Sequence, residues 1–185
     1  INISLDTLDP ELFKKVARRD GLEKVFEGIK AALAHPGLSL KINSVPVIKE
    51  KENFIGIAGL AQKYPIHVRF IEMMPIGRGR ECTGVSNDEL LKKIQEQYPG
   101  VCKDDRVHGN GPAVYYHIPG FVGSVGFISA IHGVFCSNCN RIRMTATGEL
   151  KPCLCCERCS QVWNGFGYSG KVTGSYTDET KAALF

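Results

Sequence analysis

Apolar and polar residues alternate from Ile1 to Asp6. Ile1, Ile3 and Leu5 fall on one side, and Asn2, Ser4 and Asp6 on the other. That alternation predicts a half-buried strand. Asp9-Pro10 then opens a helix, with proline at its first position. Asp20 is placed to cap a second helix, Gly21 to Ala34, in which Leu22, Val25, Phe26, Ile29 and Leu33 keep helical spacing. His35-Pro36-Gly37 ends it. Leu40 to Ile48 predicts a second strand whose end Pro46 marks. Glu52 to Lys63 predicts a helix weakened by Gly56 and Gly59, and Ile66 to Ile71 a third strand. Strands alternating with helices imply βα units and a parallel sheet, with ligands at the carboxyl ends of its strands.

The pattern changes after Pro75. Gly77-Arg78-Gly79-Arg80 reads as a flexible basic loop, and Ser86-Asn87-Asp88-Glu89 as a capping box starting a helix to about Gln97. Short β-like runs follow at Ala113 to Ile118, Ser124 to Ala130, and Ile142 to Lys151 with a turn near Thr147-Gly148. These form a small α+β appendage. Gln161 to Thr177 has no period of either kind.

Three strand positions break the apolar rule. A parallel sheet covered on both faces is nearly all apolar, yet Lys41 and Asn43 alternate with Leu40 and Ile42, and Arg69 sits among Val68, Phe70 and Ile71. Either the sheet curls and these side chains line a polar cavity, or they are the solvated tips of an edge strand. Ser4 belongs to the same face argument, with less weight because serine is cheap to place anywhere.

Composition narrows the class. The 185 residues suffice for one ordinary domain or two small ones, and a hydrophobic content of 43% supports a core. A net charge of +4 without basic runs does not point to nucleic acid but suits a small anionic ligand. No apolar run is long enough to span a membrane, and no signal peptide is visible. The chain begins at Ile1 directly in a strand-like run, so it reads as a fragment.

The 8 cysteines are an even number, but Cys153, Cys155, Cys156 and Cys159 crowd together awkwardly for disulfides. A reducing compartment with a metal site fits better. Cys136, Cys139 and Cys153 have the spacing C-x2-C-x13-C, which leaves a metal or cluster one coordination place short. Cys156 adds a further thiolate and makes a four-cysteine zinc ribbon the rival; spacing alone admits zinc and iron–sulfur equally. Arg141 and Arg143 project from one face of a strand-like run beside these cysteines and suit a phosphate or carboxylate. Glu72 follows the third strand as an acid, an acceptor or an ion-pair partner. The histidines (His35, His67, His108, His117 and His132) show no ligand spacing, with His132 a remote fourth ligand. Phosphate loops of the G-x-x-x-x-G-K and G-x-G-x-x-G types are absent, and nothing resembles a Ser/His/Asp triad.

Three runs carry a resemblance: Asn2 to Asp6 (NISLD), Val68 to Pro75 (VRFIEMMP), and Phe135 to Thr145 (FCSNCNRIRMT) continuing to Leu150 to Leu154 (LKPCL). On these the chain resembles the C-terminal part of the GTP 3′,8-cyclase family, radical S-adenosylmethionine enzymes of molybdenum cofactor biosynthesis. The similarity covers about Ile1 to Leu154. It implies an α/β fold: the last three βα units of an incomplete (β/α)6 barrel over residues 1–75, and a small α+β cluster-binding domain over 76–154. Residues 155–185 are an atypical tail, unlike the family's. The resemblance implies a 4Fe-4S cluster on Cys136, Cys139 and Cys153, one iron of which takes the guanine of GTP. It places Lys41, Arg69, Arg141 and Arg143 on GTP, and Ser4 and Asn43 on S-adenosylmethionine. It further implies a second 4Fe-4S cluster on an N-terminal C-x3-C-x2-C set, a cytoplasmic lyase, and a homodimer among the admissible assemblies. This sequence contains no C-x3-C-x2-C, so the chain alone is expected to be inactive. The competing expectations are a non-catalytic zinc-ribbon module on a truncated α/β domain and another radical S-adenosylmethionine enzyme with an auxiliary cluster.

Overall fold

A computed structural model describes residues 1–46, 53–81, 84–106, 108–109, 111–132, 141–145 and 150–151. Among the described residues, eight strands and four α-helices follow one another as β1 (Asn2–Ser4), α1 (Pro10–Ala17), α2 (Leu22–Ala34), β2 (Leu40–Ser44), α3 (Asn53–Lys63), β3 (Ile66–Ile71), α4 (Asn87–Gln97), β4 (Cys102–Asp104), β5 (Val114–His117), β6 (Ser124–Ile128), β7 (Arg143–Met144) and β8 (Leu150–Lys151).

Six strands form one sheet in the order β1-β2-β3-β6-β5-β4. β1, β2, β3 and β6 are parallel, and β5 and β4 add antiparallel pairs. β6 lies beyond Pro75 in sequence yet pairs directly with β3, so the pairing runs on across the expected end of the barrel part. β7 and β8 form a separate hairpin with Arg143 opposite Lys151.

One face of the sheet is apolar. Leu40, Ile42, Ile66, Val68, Phe70, Val125 and Phe127 are buried on it. They pack in one core with Phe54, Ile57, Ala58 and Ala61 of α3 and with Leu90 and Ile94 of α4. That burial explains why Gly56 and Gly59 do not break α3: tertiary packing outweighs the propensity cost of two glycines.

The local signals translate unevenly. Asp9 caps α1, its Oδ1 accepting from Leu12 N at 2.7 Å, and Ser86 caps α4 by accepting from Glu89 N at 3.2 Å. Asp20 does not cap α2: Gly21 occupies that position, and the Asp20 carboxylate accepts from the adjacent Gly21 N at 2.9 Å. The second strand closes at Ser44, and the basic run at Gly77 forms a short 3-10 helix to Glu81 rather than an open loop. β4 has no sequence forecast. It is a three-residue edge strand, Cys-Lys-Asp, with too little apolar alternation to announce itself.

Candidate functional site: a cationic cleft on the polar sheet face

Because successive side chains point to opposite faces, the registers set the second face residue by residue. Asn2 stands beside Lys41, Ser4 beside Asn43, Lys41 beside His67, and Asn43 beside Arg69. The mid-strand polar residues are therefore neighbours on one wall rather than scattered solvated tips: Lys41 and Arg69 line a cleft there, and Asn43 supports Arg69. The cleft has a volume of about 810 Å³ and is lined chiefly by Asn2, Lys41, His67, Arg69, His108 and Arg141.

Arg69 is its organising cation. Its Nε donates to Asn43 Oδ1 at 2.8 Å and an Nη to Asn2 Oδ1 at 2.5 Å. Tyr115, on β5, stands close to Arg69. Its hydroxyl is held above the usual phenol value, by burial foremost. Gly126 sits opposite Tyr115 and beside Arg69; a Cβ there would stand 2.8 Å from the Tyr115 ring. Glycine at that position lets the ring lie flat over the sheet.

Lys41 donates to the His108 carbonyl, and its ammonium is held below its usual value by burial first and by Arg69 second. Cations gathered this closely repel one another and favour an anion between them. Arg141 reaches the same cleft and lies near Gly111. Arg143, one of the exposed hairpin residues, does not line it. Ser4 shares the polar face but opens toward α1 and α2, into a second pocket with Asp6, Phe13 and Lys24.

Pairing also brings in residues whose sequence positions showed no relation. The His67 and His108 rings meet edge to face, 4.9 Å between centroids, and His108 lies against Tyr115 at 4.3 Å. His67 Nδ1 is 2.8 Å from Ser124 Oγ. The one signal for His67 was its place two residues before Arg69; His108 and Asp104 had none.

His67 is depressed from 6.5 to about 4, by burial first and then by His108, Lys41, Arg69 and Arg106. The unfolded imidazole binds its proton at higher pH, so stability falls as pH drops from 6.5 towards 4. Partial exposure limits this loss to roughly 1–2 kcal/mol. Urea unfolding at pH 7 and pH 4.5 is expected to show a smaller acid loss for His67→Asn than for the unaltered chain. Parallel losses would remove His67 from the acid response.

Glu72 is an acceptor. It is buried at the end of β3 and receives Ile131 N at 2.8 Å, His132 N at 3.0 Å, Asn87 N at 3.2 Å and His132 Nδ1 at 3.1 Å. Burial raises its proton affinity, but these donors outweigh burial and leave it below the usual carboxylate value. His132, the remote ligand candidate, is thus engaged by Glu72. Cys136, Cys139 and Cys153 lie outside the described residues, as does the tail after Lys151. What is described is the hairpin between them. It sets Arg143, four residues after Cys139, opposite Lys151, two residues before Cys153.

Among the described residues, no group of three His, Cys, Asp or Glu side chains is disposed to hold a metal, and no helix is long and apolar enough to cross a membrane.

Fold and cleft together define an α/β protein whose polar sheet face gathers Lys41, Arg69 and Arg141 around one cleft. Residues 66–163 match the family model described as Molybdenum Cofactor Synthesis C. The chain belongs to that family. It is 42% identical over 156 residues to a GTP 3′,8-cyclase of Clostridium perfringens, covering 83% of this chain and 48% of the relative. It is 44% identical over 158 residues to that of Heliobacterium modesticaldum, again 83% and 48%. For Moorella thermoacetica the figures are 36% over 189 residues, 100% of this chain and 56% of the relative. The chain thus spans about half the length of the curated relatives it matches. The family match continues past Leu154, and the Moorella similarity takes in the whole chain, further than the motif runs reach.

Proposed function

We propose that this chain is the GTP-holding part of a radical S-adenosylmethionine GTP 3′,8-cyclase acting in molybdenum cofactor biosynthesis. The observation that carries the proposal is the convergence of Lys41, Arg69 and Arg141 from separate elements on one cleft. Three cations around a space of this size suit a triphosphate. Arg143, exposed on the neighbouring hairpin and outside the cleft lining, belongs to the GTP set by family resemblance alone. The names of the relatives supply the nucleotide.

In this reading Cys136, Cys139 and Cys153 hold a 4Fe-4S cluster with one place for guanine, and Ser4 and Asn43 contact S-adenosylmethionine. Asn43 Oδ1 is already given to Arg69, so its amide nitrogen is the group left for that ligand. The radical chemistry belongs to the full-length enzyme, with its second cluster, and what these residues contribute is position. Arg69 and Lys41 fix the phosphates, and Asn2 and Asn43 fix Arg69. The barrel part, the cluster-binding part, the atypical tail, a cytoplasmic setting and homodimerisation are further parts of the same proposal.

Anaerobic reconstitution of the chain with iron and sulfide tests it. Broad visible absorption, labile sulfide and GTP binding are expected, with the absorption lost in Cys139→Ser. Stoichiometric zinc without sulfide, sensitive to Cys156→Ser, would replace this reading with the zinc-ribbon module. GTP binding indifferent to Arg143→Ala would favour another radical S-adenosylmethionine enzyme.

A further inference from the structure

Asp104 ends the edge strand β4, and its side chain is only 4% exposed. A carboxylate so placed must be satisfied, and four bonds satisfy it. Arg106 N and Nε reach Oδ1 at 3.1 and 2.8 Å; an Arg106 Nη and His108 Nε2 reach Oδ2 at 2.7 and 2.9 Å. One side chain therefore fixes the start of the β4–β5 loop. The His108 ring is then clamped a second time, between His67 and Tyr115.

The backbone of that clamped residue faces across the cleft. The His108 carbonyl accepts from Lys41 Nζ. Gly109 follows with φ +108°, and a Cβ there would stand 3.0 Å from the same nitrogen. The left-handed glycine lets the loop backbone come down on the ammonium. An ammonium has three donors. Among the described residues the carbonyl takes one, which leaves the other two for a ligand.

We propose that Asp104 is a positioning residue for Lys41: by fixing the loop it holds the His108 carbonyl on the ammonium and so sets where that cation meets phosphate oxygens. The ligand part rests on the anion-binding reading above; the positioning of Lys41 stands without it. Asp104 touches no ligand itself, and nothing in the sequence links it to Lys41, 63 positions away by number.

The test uses the full chain, with Asp104→Asn and, as a variant that spares the fold, Arg106→Gln. Arg106 is 70% exposed, so its loss removes two side-chain bonds to Asp104 without opening the core. The first readout needs no ligand: amine-reactive labelling of Lys41, followed by mass spectrometry with exposed Lys24 as internal reference. Labelling is expected to rise several-fold in Asp104→Asn and less in Arg106→Gln, as Nζ loses its fixed partner. The second readout is binding of inorganic tripolyphosphate. Asp104→Asn is expected to weaken it about 5- to 10-fold in the unaltered chain and less than about 2-fold in a Lys41→Ala background, the coupling of residues that act together.

Unchanged Lys41 labelling in both variants overturns the proposal. So does an equal loss of affinity with and without Lys41, which would mean that Asp104 shapes the cleft generally. Labelling that responds in a chain binding neither tripolyphosphate nor GTP upholds the positioning of Lys41 and removes the anion-binding reading alone. If Asp104→Asn does not fold, Arg106→Gln decides the question by the same measurements.

Discussion

Replacing Glu72 by Ala is expected to lower the unfolding free energy by roughly 2–4 kcal/mol, the largest loss from any single polar side chain described above. The reason is the number of donors left behind. Asn87, Ile131 and His132 each direct a backbone N–H at this carboxylate, and the site is buried. Without the acceptor, those N–H groups lose their partner, or the 131–132 segment shifts to find water. Glu72→Gln is expected to cost less, because one amide oxygen still accepts. Urea unfolding measures both, and a loss below about 0.5 kcal/mol for the alanine variant would show that the carboxylate does not hold the segment.

The same carboxylate sets an acid response. Its folded proton affinity is depressed, so its contribution is complete above the unfolded value and disappears as pH falls through the folded one. The glutamine variant should lose that part of the pH dependence. His132 lies four residues before Cys136. Under the proposed function, the alanine variant should therefore also take up less iron and sulfide on reconstitution.

Arg69→Ala is expected to weaken GTP binding by roughly 30- to 100-fold, equivalent to about 2–3 kcal/mol for a charge-assisted pair. Stability should move little or rise. Arg69 stands near Lys41 and depresses its ammonium, so removing the arginine relieves like-charge repulsion. The loss of its bonds to Asn43 and Asn2 offsets part of that relief. A site that binds anions holds unfavourable charge in their absence, and stability and binding should therefore part company in this variant. Arg69→Lys keeps the charge but loses the planar fork, and an intermediate affinity is expected. Titration calorimetry with parallel urea unfolding reads both effects. Equal affinity in the alanine variant would remove Arg69 from the ligand, and a large stability loss would make it a structural residue.

Legibility from the chain followed the range of the forces involved. The strand from Ile66 to Ile71 and the helix starts at Pro10 and Asn87 were written locally, because alternation, proline and an N-cap serine act within a few residues. Asp20 misled for the same reason. It has the right chemistry one position too early, and the backbone turn at Gly21 decided which residue stands at the helix start. The polar interruptions at Lys41, Asn43 and Arg69 were visible as anomalies, since a sheet buried on both faces has no use for them. Their meaning was not visible. Solvated tips and cavity lining leave the same sequence pattern, and only strand register separates them.

What the sequence determined by itself, then, was the period of each element, the residues that violate it, and a cysteine spacing with two arginines beside it. Tertiary structure alone decided which of these meet. Parallel pairing put Asn2, Lys41, His67 and Arg69 on one wall, and the return of β6 beside β3 brought Tyr115 and the β4–β5 loop over it. It also turned Glu72 from an unassigned acid into the anchor of residues some sixty positions later. Hydrogen-bond partners at that separation leave no periodic trace in the chain, because nothing local distinguishes a carboxylate that will find three backbone donors from one that will face water.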